Sequence, residues 1–306
     1  MNYEQLKTFV TVAEKKNFSE SAKALYLSQP TITSHIKSLE RQLNTSLFER
    51  TTKQVELTPA ANILNKYAKE IIKLSESAEK EISKLLGEIH GYMCLASSLT
   101  IGEHILPQLL GEFKEHFPLV DMKVEITNTE KILGKIKNHV IDIGMIEAPI
   151  EDPDLILEPF MEDELVLITR SDFFPEEKVD ITLEELVTLP FVLREKGSGT
   201  RAVMHQHLTK NGLKPDELNI VLELGSTESV KVAVEAGIGT SIISKSSIKK
   251  ELQLKSLKAY PIRDLILSRF FYLVYHRDSV LKAPTEAFMN VVFNEVNQGV
   301  FQPVSS

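Results

Sequence analysis

The sequence predicts an all-α N-terminal domain, a single long helix and a C-terminal α/β domain. Within residues 18–43, two short segments with helical apolar spacing meet at a tight turn, which is typical of paired helices. Apolar residues then recur every three or four positions over residues 59–86, and beyond residue 92 short apolar runs alternate with helical patterns. A chain of 306 residues is long enough for two domains with separate cores.

The paired helices have the residues that a helix-turn-helix requires. Two short helices cross at a large angle only if small or apolar residues face each other across the turn. Ser28 is placed to cap the second helix and Pro30 falls in its first turn, where a missing N–H costs little, so we expect this helix to begin at about Gln29. The positions predicted to be buried are Ala22, Leu25, Ile32, Ile36, Leu39 and Leu43.

The exposed N-terminal half of the second helix is polar, as in a helix that enters the major groove of DNA. An ordinary capped helix in a core would show the same pattern. An apolar helix over residues 6–13 and a predicted strand hairpin over residues 47–57 complete a winged helix-turn-helix, however, and this favours DNA binding. The residues predicted to contact DNA are Ser28, Gln29, Pro30, Thr31, Thr33, Ser34, Lys37, Arg50 and Lys53.

The apolar residues of the long helix form a seam that is narrower than the apolar face of a core helix. This pattern indicates a dimer contact, although packing on its own chain would also account for it. The seam consists of Leu64, Tyr67, Ile71, Leu74, Ala78, Ile82 and Leu85. We predict a winged helix-turn-helix domain over residues 1–58, a dimerisation helix over 59–88 and a hinge over 89–92. Two joined domains would bind both half-sites of an interrupted palindromic operator in double-stranded DNA.

Residues 93–306 are expected to form an α/β domain, because strand, helix and parallel strand follow one another. Two apparent crossings, near Asp163 and Ile266, divide it into two Rossmann-like lobes, an arrangement similar to that of periplasmic binding proteins. The expected limits are about 93–163 and 267–300 for lobe I and about 164–266 for lobe II. The predicted strands cover residues 92–96, 122–126, 141–146, 164–169, 190–193, 220–224, 239–243 and 269–275, and predicted helices include 105–117, 129–137, 201–211 and 229–236.

Three turns of this domain lie where ligands bind in open α/β sheets, beyond the C-terminal ends of strands and beside helix N-termini. The turns cover residues 97–100, 196–201 and 225–229. N-capping alone would explain each turn, but their convergence on one cleft predicts a small anionic effector held by hydroxyl and backbone N–H groups. The candidate effector-binding residues are Ser97, Ser98, Thr100, Ser198, Gly199, Thr200 and Thr227.

The charge is unevenly distributed along a chain whose net charge is −8. Residues 1–92 hold 13 Lys and Arg against 11 Asp and Glu, whereas the remainder holds 22 against 32. The N-terminal domain is therefore slightly basic within an acidic chain. Only the local field of that domain bears on DNA, so the overall charge does not argue against nucleic acid.

Composition and spacing argue against membrane, disulfide-bonded and enzymatic classes. No run approaches the roughly eighteen apolar residues of a membrane span, and residues 1–4 do not resemble a signal peptide. Cys94 is the only cysteine, so no internal disulfide forms and we expect a cytoplasmic location. His205 and His207 lack metal-ligand spacing, and Ser198 lacks a nucleophile elbow and partners. We therefore expect no metal, no cofactor and no enzymatic activity.

A dense set of residues in the first sixty positions carries a family resemblance. The set is Phe9, Val12-Ala13-Glu14, Asn17-Phe18-Ser19, Ala22, Leu25, Ser28-Gln29-Pro30, Ile36, Leu39-Glu40, Leu43, Leu47-Phe48, Arg50 and Leu57-Thr58-Pro59-Ala60. In these residues the chain closely resembles the LysR-type transcriptional regulators. Asn44 and Ala61 stand where the family usually has glycine, and Asn is the next best residue for a left-handed helix end. Ser34 and His35 also differ from many members, so no operator sequence can be transferred.

Within that family the chain looks closest to the branch that includes regulators of sulfur assimilation and of carbon fixation. This resemblance is carried by residues 100–103, 146–149, 196–201 and 226–231. It implies that Ser98, Thr100, Glu147, Ser198 and Thr227 lie near the effector, although Glu147 could instead favour an ammonium group or cap a lobe. The family's members are usually tetramers built from two kinds of dimer, so a homodimer and a homotetramer both stay open, and RNA polymerase is a further candidate partner.

The sequence as a whole predicts a sequence-specific, LysR-type DNA-binding regulator. A small, anionic metabolite bound between the two lobes would control it. The regulated genes would belong to sulfur or related central metabolism. The alternative is a solute-binding protein or a small anion-processing enzyme with an incidental N-terminal helical domain.

Overall fold

The N-terminal domain consists of three helices and a two-stranded antiparallel hairpin in the computed structural model. The structure describes residues 1–25, 27–50, 55–86 and 88–298, without the side chains of residues 50, 76, 79, 80 and 83–86. The elements are α1 (Tyr3–Lys15), α2 (Phe18–Leu25), α3 (Gln29–Leu43), β1 (Phe48–Arg50) and β2 (Val55–Leu57). This order confirms the predicted winged helix-turn-helix.

Helix α3 begins and ends as its sequence predicts. Ser28 accepts a hydrogen bond from the backbone N–H of Thr31 at 3.2 Å, and Pro30 lies in the first turn. Asn44 ends the helix with φ +50°, a left-handed conformation that Asn tolerates better than most residues. One predicted core position is wrong: because the helix ends there, Leu43 is 42% exposed and the buried stripe stops at Leu39.

The core of this domain fixes the hairpin to α3. Phe9 is fully buried, and the Phe48 ring lies 5.5 Å from it between centroids. The backbone N–H of Leu47 donates to the Glu40 carboxylate at 2.8 Å, which joins the start of the hairpin to α3. The hairpin and α3 are therefore held in one orientation.

Helix α4 (Pro59–Leu86) has the bounds that its apolar spacing predicts. Thr58 caps it by accepting from the N–H of Ala61 at 3.1 Å, while its hydroxyl donates to the Ser46 carbonyl at 2.8 Å. An ion pair of 2.7 Å between Lys69 and Glu14 joins α4 to α1. The long helix thus begins as a packed part of the DNA-binding domain. No helix among the described residues is long and apolar enough to cross a membrane.

The C-terminal part alternates strands and helices, as predicted. Its first half contains β3 (Gly91–Ser97), α5 (Leu99–His104), α6 (Leu106–His116), β4 (Val120–Ile126), α7 (Thr129–Lys137), β5 (Ile143–Ile146) and β6 (Leu155–Arg170). Its second half contains α8 (Leu183–Thr188), β7 (Pro190–Arg194), α9 (Gly199–Lys210), β8 (Asn219–Leu224), α10 (Thr227–Glu235), β9 (Ser241–Ser244), α11 (Lys249–Leu254), β10 (Leu257–Tyr260), β11 (Leu267–His276) and α12 (Ala283–Asn297). Short 3₁₀ turns lie at Pro215–Glu217 and Lys245–Ile248.

Two long antiparallel strands, β6 and β11, connect the two lobes of this domain. The main sheet has the order β10-β6-β11-β5-β3-β4, and β9 also pairs with β6. Strand β3 is parallel to both β4 and β5, and β7 is parallel to β8 in a separate pair. We define lobe I as β3–β5 with α5–α7 and α12, and lobe II as β7–β10 with α8–α11. The residue limits predicted for the domains stay predictions.

Each lobe has its own buried core. Phe113 and Phe288 meet edge to face at 5.5 Å in lobe I, beside Leu109, whereas Phe191 and Tyr260 belong to the core of lobe II. Because the cores are separate, the lobes meet through polar residues and through the two long strands. This arrangement confirms the predicted two-lobed α/β fold.

Three parts of this fold differ from the sequence prediction. The helix predicted over 105–117 is present as α6, with Pro107 in its first turn, but a separate short helix that was not predicted, α5, precedes it. Strand β6 extends back to Leu155, where Pro159 and acidic residues interrupt its apolar pattern. Strand β10 and helix α12 are absent from the prediction, and β10 is only four residues long.

Candidate DNA-reading surface and effector site

The exposed side of α3 forms one shallow depression at the surface of the DNA-binding domain. The side chains that line it are Gln29, Pro30, Thr33, Ser34, Lys37 and Arg41. Five of them are among the nine DNA contacts named above, and Arg41, four positions after Lys37, adds a second cation that the sequence also offers for phosphates. The depression therefore brings polar groups suited to base edges together with two cations suited to phosphates.

Hydrogen bonds within the domain orient several of these side chains. Ser19 Oγ donates to Gln29 Oε1 at 3.0 Å, which fixes the glutamine amide at the start of α3. The hydroxyls of Ser28 and Thr31 bond each other at 2.8 Å, so both side chains take part in capping the helix. Thr33 is half-buried and donates to the carbonyl of Gln29 at 3.0 Å. Gln29 is thus the oriented and exposed amide of this surface.

Two predicted DNA contacts are not tested by this geometry. Lys53 lies outside the described residues, and only the backbone of Arg50 is described. Both stay predictions. They rest on the expectation that cationic side chains of the wing, the β1–β2 hairpin, contact DNA phosphates.

The predicted seam of α4 is largely exposed. The exposed members are Tyr67, Ile71, Leu74, Ala78 and Ile82, with Leu74 as much as 73% exposed. Leu64 is different, because it is half-buried and packs with Ile72 against the core of the DNA-binding domain. Ile63, 63% exposed, extends the apolar surface and was not predicted, and the Leu85 side chain lies outside the described residues.

The predicted effector residues meet around the carboxylate of Glu147, which follows β5 and is only 2% exposed. Ser98 Oγ and the backbone N–H of Thr100 donate to Glu147 Oε1 at 2.8 Å and 3.1 Å. Thr200 Oγ1 donates to Glu147 Oε2 at 2.9 Å. Ser98 and Thr100 belong to lobe I and Thr200 to lobe II, so one carboxylate receives donors from both lobes.

A buried arginine completes this cluster. Arg269 Nη1 lies 3.4 Å from Glu147 Oε2 and 3.1 Å from Thr200 Oγ1, and Arg269 Nε donates to Asp163 Oδ2 at 2.7 Å. Arg269 and Asp163 stand opposite each other in the register of β11 and β6. Ser244 and Ser246 donate to the other oxygen of Asp163. Two carboxylates thus share one guanidinium where the long strands connect the lobes.

Glu147 is ionised at neutral pH in this setting. Burial acts to raise the pKa of its carboxyl, but the charge of Arg269 and hydrogen bonds from Thr100, Ser98 and Thr200 outweigh burial, so its pKa lies below the ordinary value. The observed partners of Glu147 are hydrogen-bond donors from both lobes and a guanidinium. Its role toward an effector stays a prediction.

Two glycines allow the 196–201 turn of lobe II to approach lobe I closely. A Cβ on Gly199 would lie 2.8 Å from Thr129 Oγ1, closer than Cβ atoms normally approach, and in tight contact with Glu147 Oε2 at 3.2 Å. Gly197 has φ +88°, a conformation that favours glycine. Gly199 therefore serves the packing of lobe II against Glu147, whereas a Cβ on Gly197 would meet Glu130 and Asn128 of lobe I.

The remaining predicted effector residues lie in the same region with other partners. Ser198 caps α9, and Ser97, the last residue of β3, donates to the carbonyl of Ser98 at 3.2 Å. Thr227 accepts from Arg194 Nη1 at 2.9 Å, and Arg194 also donates from two nitrogens to Glu195. The cluster around Glu147 therefore contains Ser98, Thr100, Gly199 and Thr200, while Thr227 belongs to a neighbouring ion pair.

A second charged group links α5 of lobe I to α10 of lobe II. His104 Nε2 lies 3.4 Å from Glu228 Oε1, and Lys231 Nζ lies 2.6 Å from Glu228 and 2.7 Å from Glu251. Glu103, His104 and Glu228 place their ligand atoms within 4.8 Å of one another, a grouping that spacing did not reveal. The Lys231 ammonium already neutralises Glu228, so the group is best described as an ion-pair network.

Arg269 and Asp163 belong to the buried cluster around Glu147, but the predicted site omits them. The signal was present in the sequence, because Arg269 lies between Leu267 and Phe271, both of which are buried and share its side of the strand. A charged residue at an inward position of an apolar strand needs a buried partner. Thr129 and Arg194 were missed for lack of any such pattern.

Both the N-terminal and the C-terminal domain match known protein families. The profile of bacterial regulatory helix-turn-helix proteins of the lysR family matches residues 3–62, and that of the LysR substrate binding domain matches residues 87–296. The HTH-type transcriptional regulator CysL of Bacillus subtilis (strain 168) is 36% identical over 269 residues, 88% of this chain and 89% of that protein. A probable RuBisCO transcriptional regulator of Phaeodactylum tricornutum is 31% identical over 94% of both chains.

A solved structure matches the C-terminal domain. The regulatory domain of CcmR from Synechocystis PCC6803, determined in complex with 2-PG, superposes with a TM-score of 0.62 and is 28% identical. The match covers 71% of this chain and 100% of that one.

A winged helix-turn-helix joined to a two-lobed effector domain defines a DNA-binding regulator that responds to a small molecule. The chain belongs to the LysR family of transcriptional regulators. The resemblance to regulators of the sulfur and carbon-fixation branch is confirmed by CysL and the RuBisCO regulator. Because these relatives are regulators and not enzymes, the alternative of a solute-binding protein or anion-processing enzyme is set aside.

Proposed function

We propose that a small anionic metabolite controls this regulator by binding where Ser98, Thr100, Thr200 and Arg269 converge. The observation that carries the proposal is the convergence of donors from both lobes on one carboxylate, that of Glu147. A site that binds a carboxylate with hydroxyls, an N–H group and a guanidinium has the chemistry to bind other oxyanions. The 2-PG bound by the CcmR regulatory domain supports a small-molecule ligand in this fold.

The metabolite acts by changing the arrangement of the lobes. Ser98 and Thr200 lie on different lobes, so a ligand that both hydroxyls bind favours one separation of the lobes over another. Its effect on DNA is limited to its differential affinity for the two arrangements. Ser97, Ser198, Gly199 and Thr227 shape the surroundings of the bound ligand.

The operator is read by the exposed half of α3 in the major groove. Gln29, with its oriented amide, and Ser34 face base edges, while Lys37 and Arg41 face phosphates. Pro30, Thr31, Thr33 and Ser28 hold the N-terminal turn against the DNA. Arg50 and Lys53 supply the phosphate contacts of the wing.

Two copies of the chain associate through the exposed seam of α4. An apolar row that includes Tyr67, Ile71 and Leu74 on a long exposed helix fits a partner helix of the same kind. Such a dimer presents two copies of α3 to an interrupted palindrome. A homotetramer, contact with RNA polymerase and a cytoplasmic location complete this proposal.

The regulated genes belong to sulfur metabolism or to a related part of central metabolism. The names of CysL and of the RuBisCO regulator support these two assignments. A sulfur-containing anion is the first metabolite class to test.

Footprinting on the DNA upstream of the gene and of its divergent neighbour, with and without sulfur metabolites, tests the proposal. We expect an interrupted palindrome whose protection shifts with one metabolite. Thr200→Val, which removes a hydroxyl at nearly constant volume, should abolish that shift, whereas Thr209→Val on the exposed side of α9 should retain it. No protection at low salt would contradict operator binding, and a footprint that no anion changes would contradict the anionic effector.

A further inference from the structure

We propose that the Glu147 carboxylate is an intramolecular ligand of the effector site: it bridges the two lobes, and an anionic effector has to displace it. This inference rests on the proposed function, since it concerns the same donors. The new claim is that Glu147 of the chain itself competes with the effector for these donors.

The two carboxylate oxygens of Glu147 contact different lobes. Oε1 receives Ser98 Oγ and the Thr100 N–H, both of lobe I, and Oε2 receives Thr200 Oγ1 of lobe II and approaches Arg269 Nη1 at 3.4 Å. A carboxylate with one oxygen bound by each lobe resists their separation, because opening the cleft breaks hydrogen bonds to one oxygen or the other. A bound anion would act in the same way through the same donors.

The charge at the site leaves no place for an additional anion beside Glu147. Arg269 faces two carboxylates, those of Glu147 and Asp163, and all three side chains are at most 2% exposed. An anion added to this cluster would be a third negative charge opposite one guanidinium, in surroundings where water does not screen the repulsion. An anion therefore binds Ser98, Thr200 and Arg269 only when Glu147 has moved away.

Two buried polar atoms indicate where an incoming ligand gains contacts that Glu147 does not use. Arg269 Nη2 and Thr129 Oγ1 are buried and have no hydrogen-bond partner among the described residues. The position that a Cβ of Gly199 would take lies 2.8 Å from Thr129 Oγ1 and 3.2 Å from Glu147 Oε2, so the unpaired hydroxyl is close to the carboxylate. An oxyanion with three or four oxygens can accept from donors that a two-oxygen carboxylate leaves unpaired. These additional bonds favour the displacement.

Glu147 is also placed so that it can leave. It follows the last residue of β5, and residues 147–154 have no helix or strand before β6 begins at Leu155. The carboxylate is thus carried by a connecting segment rather than by the sheet, and its withdrawal does not require a strand to move.

Titration calorimetry of the full-length protein with inorganic sulfate tests the displacement. We expect Glu147→Ala to bind sulfate at least tenfold more tightly than the wild type, because removal of the carboxylate releases its donors and one negative charge. Glu147→Gln, which keeps the volume and guards against misfolding, should show an intermediate gain. Glu151→Gln removes the same charge from an exposed position four residues away and should match the wild type.

Amide exchange at Thr100, measured without added anion, tests the bridge itself. The Thr100 N–H donates to Glu147, so it should exchange faster in Glu147→Ala and Glu147→Gln than in the wild type or Glu151→Gln. Unchanged exchange at Thr100 would overturn the bridge.

The two experiments separate failure of this inference from failure of the proposed function. If wild type and Glu147→Ala bind sulfate equally well and Thr200→Val weakens both, the site binds anions as proposed and the displacement is wrong. If no variant binds sulfate or phosphate, the anionic effector and its displacement are both wrong, and the exchange at Thr100 alone decides the bridge.

Discussion

The proposed DNA-reading surface and the proposed effector site differ in whether their polar groups already have partners within the protein. Gln29, Ser34 and Lys37 are exposed on a helix whose own caps are complete, so this surface is ready to bind without rearrangement. In the effector site, Glu147 and Arg269 are buried and already bonded to each other and to both lobes. Binding at the first surface adds contacts, whereas binding at the second replaces contacts that already exist.

This difference assigns different energetic roles to the two sets of residues. Removing an exposed side chain of α3 costs mainly the contacts it makes with DNA, because its bonds within the protein, such as that of Gln29 with Ser19, are exposed to water. Removing a member of the buried cluster leaves another charge without its partner, so stability falls as well. Substitutions at the two sites should therefore separate DNA affinity from folding.

The largest expected effect is that of Arg269→Met, which removes the guanidinium shared by Glu147 and Asp163. Both carboxylates would then be buried without a counter-charge, so the variant should lose about 3–5 kcal/mol of unfolding free energy. Urea unfolding followed by circular dichroism measures this loss. Arg263→Met breaks an exposed pair with Asp180 and should change the transition little. Equal transitions in the two variants would show that the cluster does not stabilise the lobes.

A smaller effect, confined to DNA binding, is expected for Gln29→Ala. If Gln29 reads a base, its removal should cost roughly 1–3 kcal/mol of specific binding and leave both the folding transition and non-specific binding unchanged. Fluorescence anisotropy with operator and scrambled duplexes measures the difference. Gln42→Ala, an exposed glutamine near the C-terminal end of the same helix, is the matched control. A loss of equal size on both duplexes would remove Gln29 from base reading.

The contrast between the two regions also explains what the sequence could predict. The start of α3 depends on Ser28 and Pro30, and the end of the helix on Asn44, so local rules place this element correctly. The effector site depends on Arg269, which is 122 positions from its partner Glu147. Local patterns indicated Ser98 and Thr200 as cleft residues but could not pair a hydroxyl turn with a charge on a distant strand.

The predicted apolar seam of α4 shows the same limit of local sequence patterns. Spacing placed Leu64 with Tyr67 and Leu74 on one stripe, but the stripe is shared between two partners. Its first member, Leu64, packs on the DNA-binding core, and its members from Tyr67 to Ile82 are exposed. Periodicity identifies the apolar face of a helix without saying which neighbour covers each turn.

The smallest expected effect is on the acid sensitivity of the effector domain. Burial raises the pKa of Glu147, whereas the charge of Arg269 and the hydrogen bonds lower it by more than burial raises it. The net lowering of the pKa is therefore smaller than the effect of Arg269 and the hydrogen bonds taken alone. A lowered folded pKa means that this carboxylate contributes stability above its unfolded pKa, near 4.5, and that the contribution is lost as the pH falls through the folded pKa. Thermal unfolding should therefore be measured at about four pH values between pH 7 and pH 3. We expect the stability of Glu147→Gln to fall less steeply with decreasing pH than that of the wild type. Glu151→Gln should keep the wild-type slope. An identical slope for all three proteins would mean that Glu147 has the same pKa in the folded and unfolded chains, so that Arg269 and the hydrogen bonds only balance the effect of burial.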